Sequence, residues 1–235
     1  MKKAKLIVNL MILIAMTTVT SAQTPQQNGG KPAAISGKDR IVMITTDFGN
    51  IKVKLYKETP KHSENFIKLA SQGFYNGTLF HRVIQQFMIQ GGDPTSKGAA
   101  PGVALGSGGG EMARIPAEFN TNLIHKKGAL AAARDGNPEK ASSACQFYIV
   151  QGKVYNDAEL NGMESRHGAA FKYTAEQRKI YTTVGGVPFL DTDYTVFGEV
   201  IEGLDVLDKI AAVKTAPGDR PVSDVKMTMK VIDAQ

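Results

Sequence analysis

Between residues 41 and 232 no apolar run is long, and nearly every one stops within a few residues at a glycine, proline, asparagine or aspartate. About eight of these runs have strand composition: residues 41–46, 51–56, 80–84, 87–91, 129–134, 145–150, 194–200 and 225–232. Residues 47–50, Asp-Phe-Gly-Asn, make the first two a hairpin. Many short strands joined by glycine-rich turns leave few ways to bury apolar surface, and rolling one antiparallel sheet onto itself removes its exposed edges. Two amphipathic helices accompany the strands. Thr59 is placed to cap the first, Pro60 suits its first turn, Phe66, Ile67, Leu69 and Ala70 form its apolar face, and Gly73 stops it. The second covers residues 204–213, with Leu204, Leu207, Ile210 and Ala211 on one side. The fold class expected is mainly β: a closed eight-stranded antiparallel barrel capped by two α-helices.

One stretch departs from that economy. About forty residues separate the strand ending at Val150 from the one starting at Tyr194. Structureless loops of that length are uncommon, and Asn156 with Glu159, then Thr174 with Gln177, have the spacing of capping boxes. Residues 153–186 therefore read as a helical insertion in one barrel loop, a lid or secondary binding surface being one reading and a surface decoration the other.

A second departure is chemical. In the run Phe80-His81-Arg82-Val83-Ile84 and the run Phe87-Met88-Ile89-Gln90-Gly91-Gly92-Asp93, an arginine and a glutamine stand among residues of buried-strand type. Burying them without partners is costly, and such conflicts between pattern and polarity gather at functional sites.

The rest of the composition narrows the field. Residues 1–22 carry Lys2, Lys3 and Lys5, an apolar run over 6–16 and small residues ending at Ala22, the pattern of a secretory signal peptide. Its apolar run is short for a membrane span. Residues 23–38, rich in Gln, Pro, Gly and Ala, read as a flexible leader, and residues 39–235 as the folded domain. Removing the three leader lysines takes the formal charge from +6 to about +3, too mild to indicate nucleic acid. Cys145, the single cysteine, has no internal disulfide partner and reads as a buried structural thiol. The glycines of residues 106–110 are not followed by the Gly-Lys-Ser/Thr of a phosphate loop. His62, His81, His125 and His167 lack metal-ligand spacing, and there is no Gly-x-Ser-x-Gly elbow. No metal or other cofactor is expected.

The two runs from Phe80 to Asp93 resemble the signature of the cyclophilin-type peptidyl-prolyl isomerases. Glu64-Asn65-Phe66, the glycine-rich loop, Cys145-Gln146-Phe147-Tyr148-Ile149, and Phe189-Leu190-Asp191 with Val196-Phe197-Gly198-Glu199-Val200 follow in that family's order. The resemblance implies the barrel inferred above and isomerisation of X-Pro bonds. It implies that Arg82 is the catalytic arginine and that Gln90 positions it together with the substrate carbonyl. Phe87, Met88, Tyr148 and Leu190 would receive the proline ring, and Ala133, Arg134 and Gln146 would form the wall along the substrate backbone. Phe189 stands where many relatives have tryptophan, Tyr194 where many have histidine, and Tyr148 where phenylalanine is usual. All three keep the site aromatic, but Phe189 lacks the indole N–H and so tells against tight cyclosporin binding. Arg134 resembles the bacterial branch of the family. His81 has no proton to transfer in such a reaction and takes a supporting place in the substrate-binding set.

Proline-containing peptides and unfolded or partly folded exported proteins are the partners this implies. Nucleic acid and stable membrane insertion after signal cleavage are not expected. The location implied is export, to the periplasm or the extracellular space. A binding module that merely holds proline-containing segments is the alternative, which would not require the cation at Arg82.

Overall fold

A computed structural model of the chain describes residues 40–168 and 171–233. The expected signal peptide (1–22) and leader (23–38) lie outside these residues.

Eight strands form one antiparallel sheet: β1 (Arg40–Thr46), β2 (Gly49–Leu55), β3 (Phe80–Ile84), β4 (Met88–Gly91), β5 (Ala129–Ala132), β6 (Phe147–Val150), β7 (Val196–Glu202) and β8 (Met227–Asp233). Their order across the sheet is β3-β4-β6-β5-β7-β2-β1-β8. The sheet curls until its outer strands approach, but the expected closure is incomplete. The seam between β3 and β8 is joined by an isolated bridge, Leu79 to Lys226, and by bonds such as Phe80 N–H to the Val225 carbonyl at 2.9 Å, rather than by a continuous ladder. The strand pairs are otherwise those of a barrel, and the hairpin β1–β2 pairs in unbroken register from Arg40–Leu55 to Thr46–Gly49.

Four helices accompany the sheet: α1 (Pro60–Ser71), α2 (Asp157–Arg166), α3 (Ala175–Thr183) and α4 (Leu204–Ala211). Helices α1 and α4 are the two expected caps. Helix α1 packs on β1, β7 and β8, and α4 on β2, β3 and β4. Phe66 of α1 carries the aromatic centre of the core, 5.3 Å from the Phe147 ring and 5.4 Å from Phe197, both edge-on. Proline begins α1 as expected, but Thr59 does not cap it with its side chain. The carboxylate of Glu118 does so instead, accepting from the backbone N–H of Lys61 at 3.1 Å and of His62 at 3.0 Å, and from His62 Nδ1 at 2.7 Å. An acceptor at a helix N-terminus satisfies donors that have no partner within the helix. A carboxylate from a distant loop outcompetes the local threonine.

The insertion between β6 and β7 is helical, as its capping boxes require. Asn156 and Glu159 cap α2 reciprocally, and Thr174 and Gln177 cap α3. The two helices bury a small core of their own, built from Ile124, Tyr155, Leu160, Tyr173 and Tyr181.

Strand alternation divides the sheet into two faces. Val83, Ile89, Ile149 and Leu130 lie in one cross-strand row through β3, β4, β6 and β5, and all four belong to the main core. The adjacent row is Arg82, Gln90, Tyr148 and Ala131, on the opposite face. There Met88, Ala131, Ala133, Tyr148 and Val196 form a separate apolar cluster with Phe87 and Leu190 against it. A register shift between Phe80 and Arg82 interrupts the first strand pair. Such bulges re-aim side chains, and here one precedes the arginine.

Candidate functional site

The second face lines a cavity of about 790 Å³. Phe87, Met88, Tyr148 and Leu190 supply an apolar part of its wall; Arg82 and Gln90 supply polar groups; Ala133, Arg134, Tyr194 and His81 also line it. Two residues named from the sequence stand outside this lining. Phe189, 37% exposed, packs beside Phe87 with ring centroids 5.7 Å apart. Gln146 lies behind Gln90 and lines a small neighbouring cleft.

The polar groups form a directed chain. The Arg82 Nη1 donates to Gln90 Oε1 at 3.4 Å, Gln90 Nε2 donates to Gln146 Oε1 at 3.0 Å, and Gln146 Nε2 donates to the carbonyls of Gly106 and Gly108 at 2.9 Å each. The end is anchored on carbonyls, which only accept, so each amide has one permitted orientation. Gln90 therefore presents its oxygen to the arginine. The Gln146 side chain orients Gln90 through this chain, which differs from the backbone-wall position the sequence suggested. The backbone of Ala133 is likewise engaged within the protein, donating to the Gln146 carbonyl at 3.0 Å and accepting from Ser143 N–H at 2.8 Å.

Arg82 has a second partner that the sequence did not reveal. Its Nε donates to Asp219 Oδ2 at 3.4 Å, across 137 residues of chain. The arginine side chain is 41% exposed, so this ion pair contributes little to stability, at most about 1 kcal/mol. Its effect is geometric: Nε and Nη1 are both occupied, which sets the plane of the guanidinium. Arg134, which also lines the cavity, is fixed as well. Its guanidinium lies 4.5 Å from the Tyr194 ring centroid, and Nε donates to the Asp193 carbonyl at 3.1 Å.

The glycine-rich loop is shaped by what it wraps. A Cβ on Gly108 would fall 2.1 Å from Asp93 Oδ1, and one on Gly109 2.3 Å from the Cys145 sulfur. Burial would raise the Asp93 pKa, but its carboxylate accepts from the Thr95 hydroxyl at 2.6 Å and from the Gly106 and Thr95 backbone N–H groups, which hold it below the usual range. Burial pushes the Cys145 thiol up, in keeping with a structural role.

Beneath the cavity lies a polar network that sequence reading missed. The Tyr148 hydroxyl meets His125 Nε2 at 3.0 Å, and His125 Nδ1 faces Asp191 Oδ1 at 2.7 Å. Asp191 Oδ1 also accepts the His125 backbone N–H at 2.8 Å, and Oδ2 accepts from Tyr181 at 2.6 Å and Tyr173 at 2.9 Å. Four donors thus satisfy one buried carboxylate. Both tyrosines come from the insertion, and Asp191 follows Leu190 of the apolar wall. The only sequence signal was the position of Asp191 next to that leucine.

A family model described as cyclophilin type peptidyl-prolyl cis-trans isomerase/CLD matches residues 41–231. A protein of Staphylococcus saprophyticus named as a peptidyl-prolyl cis-trans isomerase is 37% identical over 194 residues, covering 81% of this chain and 90% of its own length. One of Staphylococcus aureus with the same name is 38% identical over 190 residues, covering 80% of this chain and 89% of its own. Among solved structures, a cyclophilin-type peptidyl-prolyl cis-trans isomerase of Cryptosporidium parvum superposes with a TM-score of 0.62 at 23% identity, over 84% of this chain and 99% of that one. A structure of that protein in the presence of the dipeptide Ala-Pro gives 0.58 at 22% identity, over 82% and 98%. These two show a shared fold.

His81 is buried, and neither ring nitrogen has a hydrogen-bond partner of ordinary geometry within the protein. Burial, partly offset by Asp93, pushes its pKa down to about 4. The unfolded chain takes up this proton near pH 6.5 and the folded chain only near 4, so the contribution is intact above about 6.5 and is lost as pH falls toward 4. Between pH 7 and 4.5, urea unfolding should cost wild type about 2–3 kcal/mol more of its stability than His81→Gln. Parallel pH profiles would rule out the buried neutral imidazole.

Proposed function

Because the chain belongs to the cyclophilin-type peptidyl-prolyl cis-trans isomerase family, we propose that it accelerates X-Pro bond rotation in exported protein clients and so assists their folding, with Arg82 stabilising the twisted prolyl amide. The observation that carries this reading is the guanidinium held by Gln90 and Asp219 at the edge of a cavity walled by Phe87, Met88, Tyr148 and Leu190.

The X-Pro bond resists rotation because the nitrogen lone pair is delocalised into the carbonyl, with a barrier of about 18–20 kcal/mol. Uncatalysed exchange takes roughly tens to hundreds of seconds. Millisecond exchange requires a gain of about 10⁵, or about 7 kcal/mol. No covalent bond is made or broken, so neither a nucleophile nor a proton shuttle is required. At the top of the barrier the nitrogen is pyramidal and its lone pair localised, and a hydrogen bond from a cation stabilises that state more than the planar one. Arginine suits this role because it stays charged and its donors are rigidly arrayed. The apolar wall holds the ring while the carbonyl side turns. Gln90, whose oxygen faces the guanidinium, keeps the cation from swinging away as charge shifts.

Arg82→Ala should lower kcat/KM on an X-Pro peptide by about 100-fold or more, measured by cis/trans exchange, because it removes the preorganised cation. A variant performing like wild type would leave only a peptide-holding module.

Export is supported by the basic, apolar and small-residue succession of residues 1–22. Mass spectrometry of protein secreted from its native host should find the mature chain beginning at Gln23. An intact N-terminus would remove the export reading.

The insertion acts in this reading as a fixed brace behind the proline pocket rather than a moving lid. Support comes from the buried bonds of Tyr173 and Tyr181 to Asp191 and the link onward through His125 to Tyr148. The double variant Tyr173→Phe/Tyr181→Phe keeps both rings and removes both donors. Its KM for a short proline peptide should rise about fivefold, the equivalent of about 1 kcal/mol. A lid would spare the short peptide and affect only refolding of a protein client.

A further inference from the structure

The cavity of about 790 Å³ is several times what one five-membered ring fills and is the size of sites that enclose larger ligands. One part of its lining is the wall of Phe87, Met88, Tyr148 and Leu190. Another part, a second lobe, is formed by residues 101–106 and by residues 216–224 apart from Asp219 and Ser223. The reading of the proline pocket assigns nothing to this lobe.

The second lobe is a built structure. The Arg220 guanidinium, buried, donates from Nη1 to the carbonyls of Ala100 at 3.0 Å and Val103 at 2.8 Å, and from Nη2 to Asp224 at 2.9 Å. It thereby joins the two loops that face each other across the lobe. The 216–220 turn closes on itself through Ala216 N–H to the Arg220 carbonyl at 2.8 Å, and it is tied to β3 by Val83 N–H to the Asp219 carbonyl at 2.8 Å. That bond falls one residue from Arg82, so the lobe and the arginine are held in register.

The lobe's charges are spent internally. Arg220 pairs with Asp224, and the adjoining Asp219 pairs with Arg82. The surface left for a ligand comes from Pro101, Val103, Leu105, Pro217, Pro221 and Val222. Val103 and Val222 are 48% and 59% exposed, although both are apolar. The prolines limit how far the walls can move. A charged side chain entering here would lose hydration and meet Arg220 and Asp224 already paired with each other, whereas an aliphatic one would cover the exposed valines.

We infer that this lobe is a second specificity subsite, which takes a bulky aliphatic side chain of the client within two residues of the proline whose ring occupies the first. Continuity selects the occupant: the wall and the lobe line one cavity, so the segment that seats its proline against the wall continues along the lobe. The inference rests on the proline-pocket reading and deepens it, adding a preference for Leu-, Ile- or Val-flanked prolines.

The test uses short peptides with Leu, Gly or Asp at each of the two positions before and the two after a single proline. Both kcat/KM and the dissociation constant, from NMR titration, are measured with the full-length mature chain. At one or more positions Leu should exceed Gly by about tenfold, with Asp below Gly. In Val103→Asp/Val222→Asp the ratio of Leu to Gly should fall toward one; both side chains are substantially exposed, so the core is spared. In the milder Val103→Ser/Val222→Ser it should fall part of the way. The inference is overturned if no position discriminates, or if the ratio survives in both variants. Arg82→Ala separates this from the parent reading. If that variant turns peptides over like wild type, the isomerase mechanism fails, while Leu preference in the dissociation constants still decides for or against the lobe.

Discussion

The central row of the cleft depends on the two-residue period of four paired strands. In β3, β4, β6 and β5 one row of side chains, Val83, Ile89, Ile149 and Leu130, fills the main core. The next row, Arg82, Gln90, Tyr148 and Ala131, lies on the opposite face, where the first three line the cavity. A one-residue slip of β3 would exchange its two sets of side chains and put Arg82 into the core. The packing that stabilises the fold and the geometry that arms the site are therefore the same constraint. The apolar row has a single acceptable register, and that register brings Arg82 and Gln90 opposite one another.

Around this row the protein spends its polar groups on orientation. Each end of the guanidinium's surroundings is fixed by something that cannot reverse: backbone carbonyls of Gly106 and Gly108 through two amides on one side, the Asp219 carboxylate on the other. The glycines are part of this device. They let the loop approach Asp93 and Cys145 closely enough that a Cβ would collide, and that approach puts their carbonyls within reach of Gln146. In a reaction with no bond-making, such preorganisation is the main resource available to the catalyst.

The insertion extends the same logic from the surface inward. Its capping boxes make α2 and α3 locally stable, and its small core makes them cohere. What relates them to the cleft is one carboxylate, Asp191, shared between two tyrosines of the insertion and a histidine beneath Tyr148. Leaving any buried lone pair of that carboxylate unsatisfied is costly, so the network resists piecemeal opening.

The sequence by itself determined what depends on near neighbours. The hairpin β1–β2, the proline start of α1, both capping boxes and the signature from Phe80 to Asp93 are local patterns, and periodicity, punctuation and motif expose them. The family resemblance grouped Arg82, Gln90, Phe87, Met88, Tyr148 and Leu190, and the structure brings all six to the lining of one cavity. Only the tertiary structure decided how far the barrel closes, that Glu118 rather than Thr59 caps α1, that Asp219 holds the arginine, that His125 and Asp191 link Tyr148 to the insertion, and that the loops at 101–106 and 216–224 line the same cavity as Arg82. Each of these is a contact between residues far apart in the chain, such as the 137 positions between Arg82 and Asp219. A local pattern has a period to betray it, whereas a long-range hydrogen bond has none: the distant partner, whether Glu118, Asp219, His125 or Asp191, is, seen alone, an ordinary polar residue of a loop.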